Sequence, residues 1–195
     1  MAHPDERLRE LGITLEEKTT FHPAVALGVI TGNLLYLSGS TPSDPRFTGR
    51  VGDALSVEEG YAAARDCAIN QLAAAKSVLG DLGRVRRVVK VLGMVNAAPG
   101  FPDTPAVVHG ASELFFAVFG EKGVHARSAV GLQALPSDVA VEIEPEYFIL
   151  LAVDTRIHAL VRCLPGVPGD TEGCRIQGSG TTTTTQKACR SPRWV

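Results

Sequence analysis

The 195-residue sequence lacks an excess of basic charge: 19 lysines and arginines face 21 acidic residues, for a formal net charge of −2. Proteins that grip nucleic acid usually carry a basic face that neutralises phosphates, so this balance argues against a nucleic-acid partner. The sequence also lacks a run of about 18 apolar residues, the minimum for a membrane-spanning helix. Its first residues, MAHPDERLRELGI, contain no apolar signal-peptide core. We therefore expect a cytoplasmic protein that binds neither nucleic acid nor membranes.

Cysteines are few, and their spacing differs from that of the common metal sites. Cys67, Cys163, Cys174 and Cys189 include no C-x-x-C pair, the arrangement typical of structural zinc ligands. Cys67 falls in an apolar helical pattern and is interpreted as a core residue. We expect neither a metal ion nor an organic cofactor.

The composition changes after about Asp154. Residues 155–195 hold three of the four cysteines and five consecutive threonines, with almost no hydrophobic periodicity. Such a segment buries too little apolar surface to offset the entropy lost on ordering. We therefore predict one folded domain at residues 1–154, followed by a tail that is disordered or non-native. In the sequence as a whole, 45% apolar residues provide ample core for one domain.

Three helices are predicted within residues 1–154. The first is short, spans residues 4–10 and ends at Gly12. The second begins with the capping-box pattern Ser56-Val57-Glu58-Glu59 and continues to about Leu79. In the third, Thr104 is the expected N-cap and Pro105 the first helical residue, and Gly120 ends the helix.

The predicted strands place these helices in an α+β fold. A hairpin is predicted at about residues 24–30 and 34–38, joined by Thr31-Gly32-Asn33, followed by a β-branched strand at about 85–95. Two last strands, at about 127–133 and 139–151, flank the turn Leu135-Pro136-Ser137-Asp138. This order of elements indicates a mixed sheet with both long helices packed on one face.

Several phrases resemble the reactive intermediate deaminase family of YjgF-like proteins, over about residues 25–150. They are NLLYLSGS at 33–40, LGDLGRVRRVVK at 79–90, SELFFAVFG at 112–120, ARS at 126–128 and LPSDVAVEIE at 135–144. The spacing of ARS before LPSDVAVEIE is the most specific of these matches, since it fits without a gap. The resemblance implies a chorismate-mutase-like fold and a homotrimer around a barrel of sheets, with three ligand clefts shared by neighbouring subunits.

The resemblance also implies a metal-free chemistry: the hydrolytic deamination of small reactive 2-imino or enamino acids, which yields a 2-keto acid and ammonia. Arg127 would hold the substrate carboxylate, a task that suits the planar, two-pronged guanidinium. Glu142 would position or activate the attacking water. Ser38 and Gly39 match positions that line the family's pocket.

Three positions depart from the deaminating members. Val25 stands where they have a pocket tyrosine, Ala129 stands where they commonly have a cysteine with a main-chain ligand contact, and His109 stands where they have an asparagine. A histidine side chain can exchange a proton near neutral pH, so His109 is a candidate replacement acid or base, although a helical histidine is more often a surface or packing residue. His22 and His125 are interpreted as loop residues.

Other interpretations remain open from sequence. Arg127 is also compatible with an ordinary strand arginine that pairs with Glu142 or Glu144. With its orienting groups changed, the protein is also compatible with a non-catalytic trimer that binds a carboxylate-bearing metabolite as a sensor or interaction protein. Some relatives are named endoribonucleases. That activity ranks third here, because a net charge of −2 gives no sign of the basic groove that holds a phosphate backbone.

Overall fold

A computed structural model of the chain describes residues 2–20 and 22–150 and arranges five strands in one mixed sheet. The strands are β1 (Gly28–Thr31), β2 (Leu34–Leu37), β3 (Val85–Asn96), β4 (Ala126–Leu132) and β5 (Val141–Ile149). Their order across the sheet is β1-β2-β5-β3-β4, with β3 and β4 parallel and the other neighbours antiparallel. The predicted tail at residues 155–195 lies outside the described residues.

Local capping signals set the helices α1 (Pro4–Glu10) and α2 (Val57–Leu79). At the start of α2, the Glu59 amide donates to the Ser56 hydroxyl (3.1 Å) and the Ser56 amide donates to the Glu59 carboxylate (2.8 Å). These two bonds satisfy donors that a helix start otherwise leaves unpaired. Gly80 follows the helix with a φ of +76°, which ends it in the region that favours glycine. Both predicted boundaries of α2 are therefore confirmed.

The third helix, α3 (Thr104–Phe119), begins one residue earlier than predicted. Asp103, and not Thr104, is the N-cap residue, and it makes no side-chain capping bond. Thr104 is buried instead, and its hydroxyl donates to the carbonyl of Ala129 on β4 (3.1 Å). The threonine is used for a tertiary contact because a buried hydroxyl needs a partner.

Helices α2 and α3 pack against each other and against the sheet, as close contacts at two glycines show. A Cβ atom at Gly110 on α3 would overlap the main-chain carbonyl oxygen of Tyr61 on α2, and one at Gly93 on β3 would lie 2.5 Å from Val108 on α3. Glycine lets the backbones approach in both places. The α+β arrangement of a mixed sheet and packed helices is as predicted.

Strand β5 alternates between a buried and a more exposed face. Val141, Ile143, Tyr147 and Ile149 are fully buried, whereas Glu142, Glu144 and Glu146 are half-buried on the opposite face. The strand is shorter than predicted at its start, since Ser137 and Asp138 have φ of +55° and Ala140 bonds to the loop residue Phe47. The predicted first strand is also shorter, because His22–Val25 forms a turn.

None of the helices in the described residues is both long and apolar enough to cross a membrane.

Candidate functional site

Five of the six predicted site residues line two different cavities of the chain. Ser38, Gly39 and Glu142 line one cavity of about 580 Å³, together with Val25. His109 and Arg127 line another of about 340 Å³. Ala129, which lies on β4 two residues beyond Arg127, lines neither of these cavities.

The strand register explains why Arg127 and Glu142 are apart. Arg127 on β4 is opposite Val91 on β3, whereas Glu142 on β5 is opposite Met94. Val91 and Met94 are three residues apart on the same strand, and side chains alternate between faces with a period of two. Within one chain, Arg127 therefore points toward the helices, and Glu142 points toward the other face of the sheet.

Glu142 has an environment that favours its protonated form. Burial, reinforced by the nearby Glu144 carboxylate, raises the pKa of Glu142 above its ordinary value. Gly39 lies directly against this carboxylate, since a Cβ atom at position 39 would overlap Glu142 Oε1. A carboxylate of raised pKa is a better proton acceptor near neutral pH, which is what activation of a water requires.

A buried glutamine holds the strand ends around Glu142 in place. Gln71 on α2 is fully buried, and its Nε2 donates both to the Ser38 carbonyl (2.8 Å) and to the Ile143 carbonyl. Ser38 directly precedes Gly39, and Ile143 directly follows Glu142. The Gln71 side-chain amide therefore fixes one neighbour of each residue in the Gly39–Glu142 contact. The Ser38 hydroxyl is engaged elsewhere and donates to the Ala26 carbonyl (2.8 Å). Gln71 was missed in the sequence because a polar residue inside an apolar helical pattern has no local signal of its partners.

Arg127 lines its cavity without a carboxylate partner from its own chain. Its Nη1 donates to the hydroxyl of Ser112 on α3 (3.2 Å). No ion pair among residues 2–20 and 22–150 includes Arg127. The sequence-based alternative that Arg127 pairs with Glu142 or Glu144 is therefore wrong within one chain. Burial lowers the pKa of this guanidinium, and an arginine that still carries its charge can bind an external anion.

His125 lies in the loop before β4, as predicted, and its side chain lines the Arg127 cavity. It is half-buried, with Nδ1 2.6 Å from the Gly123 carbonyl and Nε2 3.1 Å from the Ser112 hydroxyl. Burial, together with the charge of Arg127, lowers the pKa of His125, while the bond to the Gly123 carbonyl opposes this shift. A signal was present: His125 precedes Arg127 by two residues in an extended segment, which places both side chains on one side. Ser112 follows His109 by one helical turn.

One cluster among the described residues brings three metal-binding side chains within 4.8 Å, namely His3, Asp5 and Asp81. It lines neither cavity, and Asp5 in this cluster is already paired with Lys76 (2.9 Å). The expectation that the protein needs no metal stays a prediction.

Comparisons with known proteins agree with this architecture. Residues 6–141 match the profile of the family described as "YjgF/chorismate mutase-like, putative endoribonuclease". Protein TCP17 of Trypanosoma cruzi is 42% identical over 141 residues, which cover 70% of this chain and 88% of that protein.

Two crystal structures give the same result. Atu1372 of Agrobacterium tumefaciens, a protein of unknown function, is 42% identical with a TM-score of 0.68 and coverage of 75% of this chain and 91% of that one. A Shewanella oneidensis MR-1 protein that carries the same endoribonuclease description is 27% identical, with a TM-score of 0.72 and coverage of 76% and 100%. These matches confirm the resemblance predicted from the sequence phrases: the chain belongs to the YjgF/chorismate mutase-like family.

Proposed function

We propose that this protein hydrolyses small reactive 2-imino or enamino acids to 2-keto acids and ammonia, with Arg127 as the carboxylate-binding residue. The observation that carries the proposal is the Arg127 guanidinium, which lines an open cavity and is paired with no carboxylate of the described chain. A partly desolvated guanidinium binds a carboxylate through two parallel charge-assisted hydrogen bonds, which fix the orientation of the bound acid.

The reaction needs one base and one water. In the imine form, the water oxygen bonds to the imine carbon while the C=N electron pair moves to nitrogen, which takes up a proton. Glu142 accepts a proton from the attacking water, a role that its raised pKa supports. Glu142 then returns its proton to the nitrogen of the carbinolamine, the C–N bond breaks and ammonia leaves, and the hydroxyl proton is released as the carbonyl forms.

A homotrimer with clefts between subunits is part of the proposal. Arg127 and Glu142 point to opposite faces of the sheet in one chain, so a cleft that contains both needs residues from two copies. Ser38 and Gly39 would reach that cleft with Glu142, and His109 would reach it with Arg127. His109 is exposed on α3 and is the proposed replacement for the family's asparagine.

A second candidate function is binding of a carboxylate-bearing metabolite without turnover. Val25, which is 37% exposed, lines the Glu142 cavity where the resemblance places a tyrosine, so position 25 offers no hydroxyl to orient a substrate. Ground-state binding survives such a loss more easily than transition-state stabilisation does. Endoribonuclease activity ranks third, since the net charge of −2 gives no general attraction for a phosphate backbone. A cytoplasmic location, with no nucleic-acid or membrane partner, completes the proposal.

The test is the rate of ammonia release from imino acids generated in place, with 2-aminoacrylate from a serine-eliminating enzyme as the small substrate and branched or aromatic imines as bulky ones. We expect acceleration over spontaneous hydrolysis, and a loss of about 100-fold or more in kcat/KM for Arg127→Ala. Arg86→Ala, at an exposed position on β3 that lines neither cavity, is the matched control. If no imine is hydrolysed faster than in buffer while 2-keto acids still bind, the binding function replaces the deaminase.

A further inference from the structure

A continuous hydrogen-bond chain runs from the backbone to Arg127 through two side chains that the sequence interpretation did not assign to the site. The Gly123 carbonyl contacts His125 Nδ1 at 2.6 Å, His125 Nε2 contacts Ser112 Oγ at 3.1 Å, and Ser112 Oγ accepts from Arg127 Nη1 at 3.2 Å. Ser112, Gly123, His125 and Arg127 all line one cavity.

The direction of each bond follows from donor chemistry. A carbonyl oxygen only accepts, so His125 Nδ1 carries the proton that bonds to Gly123. In the neutral ring, Nε2 is then an acceptor, and the Ser112 hydroxyl donates to it. The lone pairs of the Ser112 hydroxyl are then free to accept from Arg127 Nη1. The neutral imidazole therefore fixes the orientation of the hydroxyl that holds the guanidinium.

The imidazole ring is itself held in place. The edge of the His125 ring meets Phe115 at a centroid distance of 6.0 Å and an interplanar angle of 86°, a preferred aromatic geometry. The charged and titratable groups that line the cavity are His109 and Glu113 on α3 and Arg127 on β4, apart from His125 itself. Glu113 also accepts from the Tyr61 hydroxyl (2.7 Å). Glu121 and Lys122, in the turn before His125, do not line the cavity.

We infer that His125 is a positioning residue for Arg127, acting through the Ser112 hydroxyl, and that protonation of His125 tightens the binding of a carboxylate at Arg127. The inference rests on the proposed function, because the carboxylate is the ligand proposed for Arg127. When Nε2 gains a proton it becomes a donor to Ser112 Oγ, which leaves the hydroxyl proton free to turn into the cavity. The imidazolium also adds a second positive charge beside the bound anion.

The sign of the pH effect follows from linkage. In the unliganded protein, burial and the Arg127 charge lower the pKa of His125, so the ring is neutral at neutral pH. A bound carboxylate offsets the Arg127 charge and raises the pKa of His125, so binding of the anion and of the proton favour each other. Carboxylate affinity therefore increases as the pH falls through the range in which His125 titrates.

The test is calorimetric titration of the full-length protein with 2-oxobutyrate, a 2-keto acid that stays ionised, from about pH 7.5 down to about pH 5. For wild type we expect an affinity gain of about tenfold over this range. His125→Gln keeps a hydrogen-bonding amide near the position of Nε2 and does not titrate, so it should retain the affinity near pH 7.5 and lose the gain. A merely structural role for His125 would lower the affinity equally at all pH values.

Three other variants separate the alternatives. Ser112→Ala breaks the chain and should weaken binding at every pH with an unchanged melting temperature. His22→Gln, an exposed position outside both cavities, should behave as wild type. His109→Gln should keep the pH-dependent gain, whatever its affinity near pH 7.5.

The outcomes against the inference are specific. A gain that persists in His125→Gln, a gain that disappears in His109→Gln, a flat wild-type profile or an absence of any 2-keto acid binding would each overturn it. Imine hydrolysis without 2-keto acid binding would leave the proposed deaminase standing and remove this inference. The expected binding profile without imine hydrolysis would support this inference and remove the proposed deaminase.

Discussion

Gly39 and Glu142 are in direct contact: the backbone at Gly39 passes so close to the carboxylate that a Cβ atom at position 39 would overlap Glu142 Oε1. The φ of Gly39 is not in the left-handed region, so the backbone itself accepts alanine. The glycine is therefore needed for space beside the carboxylate and not for its conformational freedom.

Gly39→Ala should displace the Glu142 carboxylate from its present position and lower kcat for imine hydrolysis by about 10- to 100-fold. The kinetics of Gly39→Ala, Glu142→Gln and the double variant measure this. If the glycine acts through Glu142, the double variant should be no slower than Glu142→Gln alone. Additive losses would show that Gly39 contributes in another way.

Glu144 should influence the pH dependence of the reaction through Glu142. The Glu142 pKa is raised first by burial and second by the Glu144 carboxylate, and a base works only above its pKa. The acidic limb of the kcat/KM profile should therefore lie above the ordinary range of a glutamate, and Glu144→Gln should move that limb to lower pH. Glu146→Gln, two residues further along the same face of β5, is the matched control and should leave the limb in place. An acidic limb that Glu144→Gln does not move would argue against Glu142 as the base.

Gln71 should contribute to stability as well as to the geometry of the site. Its amide satisfies two backbone carbonyls, at Ser38 and Ile143, in a fully buried position. Gln71→Leu leaves the Ser38 carbonyl without this donor, whereas the Ile143 carbonyl still accepts from the Ser40 amide (3.1 Å). The variant should lower the free energy of unfolding by about 1–3 kcal/mol. Denaturant unfolding measures the change, with Glu58→Gln at an exposed position of the same helix as the control. A change below about 0.5 kcal/mol would mean that the Ser38 carbonyl finds another donor.

Tyr147→Phe should leave the protein as stable or more stable. The Tyr147 ring is fully buried and packs edge-on against Phe115 and Phe119, but its hydroxyl has no hydrogen-bond partner among the described residues. Removal of an unpaired buried hydroxyl should raise the free energy of unfolding by about 1 kcal/mol. Thermal unfolding is the measurement, and a clear loss of stability would reveal a partner for the hydroxyl, such as a buried water.

Signals carried by neighbouring residues were enough to predict much of the fold. Ser56 and Glu59 cap α2 because both partners of the capping box lie within one helical turn. Gly80 ends the same helix, and the alternation along β5 separates its buried residues from Glu142 and Glu144. The ARS and LPSDVAVEIE phrases also placed the chain in its family, which the comparisons confirm.

Contacts between residues that are distant in the sequence could not be predicted from such local signals. Helix α3 begins one residue earlier than predicted because the Thr104 hydroxyl bonds to β4. The sequence around Thr104 carries no information about that strand. The hydrogen-bond chain from Gly123 through His125 and Ser112 to Arg127 likewise joins β4 to α3. The Gln71 side chain joins α2 to the ends of two strands.

Residue type identifies Arg127 as a cation and Glu142 as a carboxylate, and the period of two along β5 places Glu142 on the face opposite Val141 and Ile143. Burial along β4 does not alternate, so its pattern does not assign a face to Arg127. Their separation depends on strand pairing: β4 lies parallel beside β3 and β5 lies antiparallel on its other side, in registers set by the packing of the whole sheet. Register is a property of two strands and the core they cover, so one strand's sequence cannot specify it. That is why the tertiary structure alone put the two residues on opposite faces of one chain.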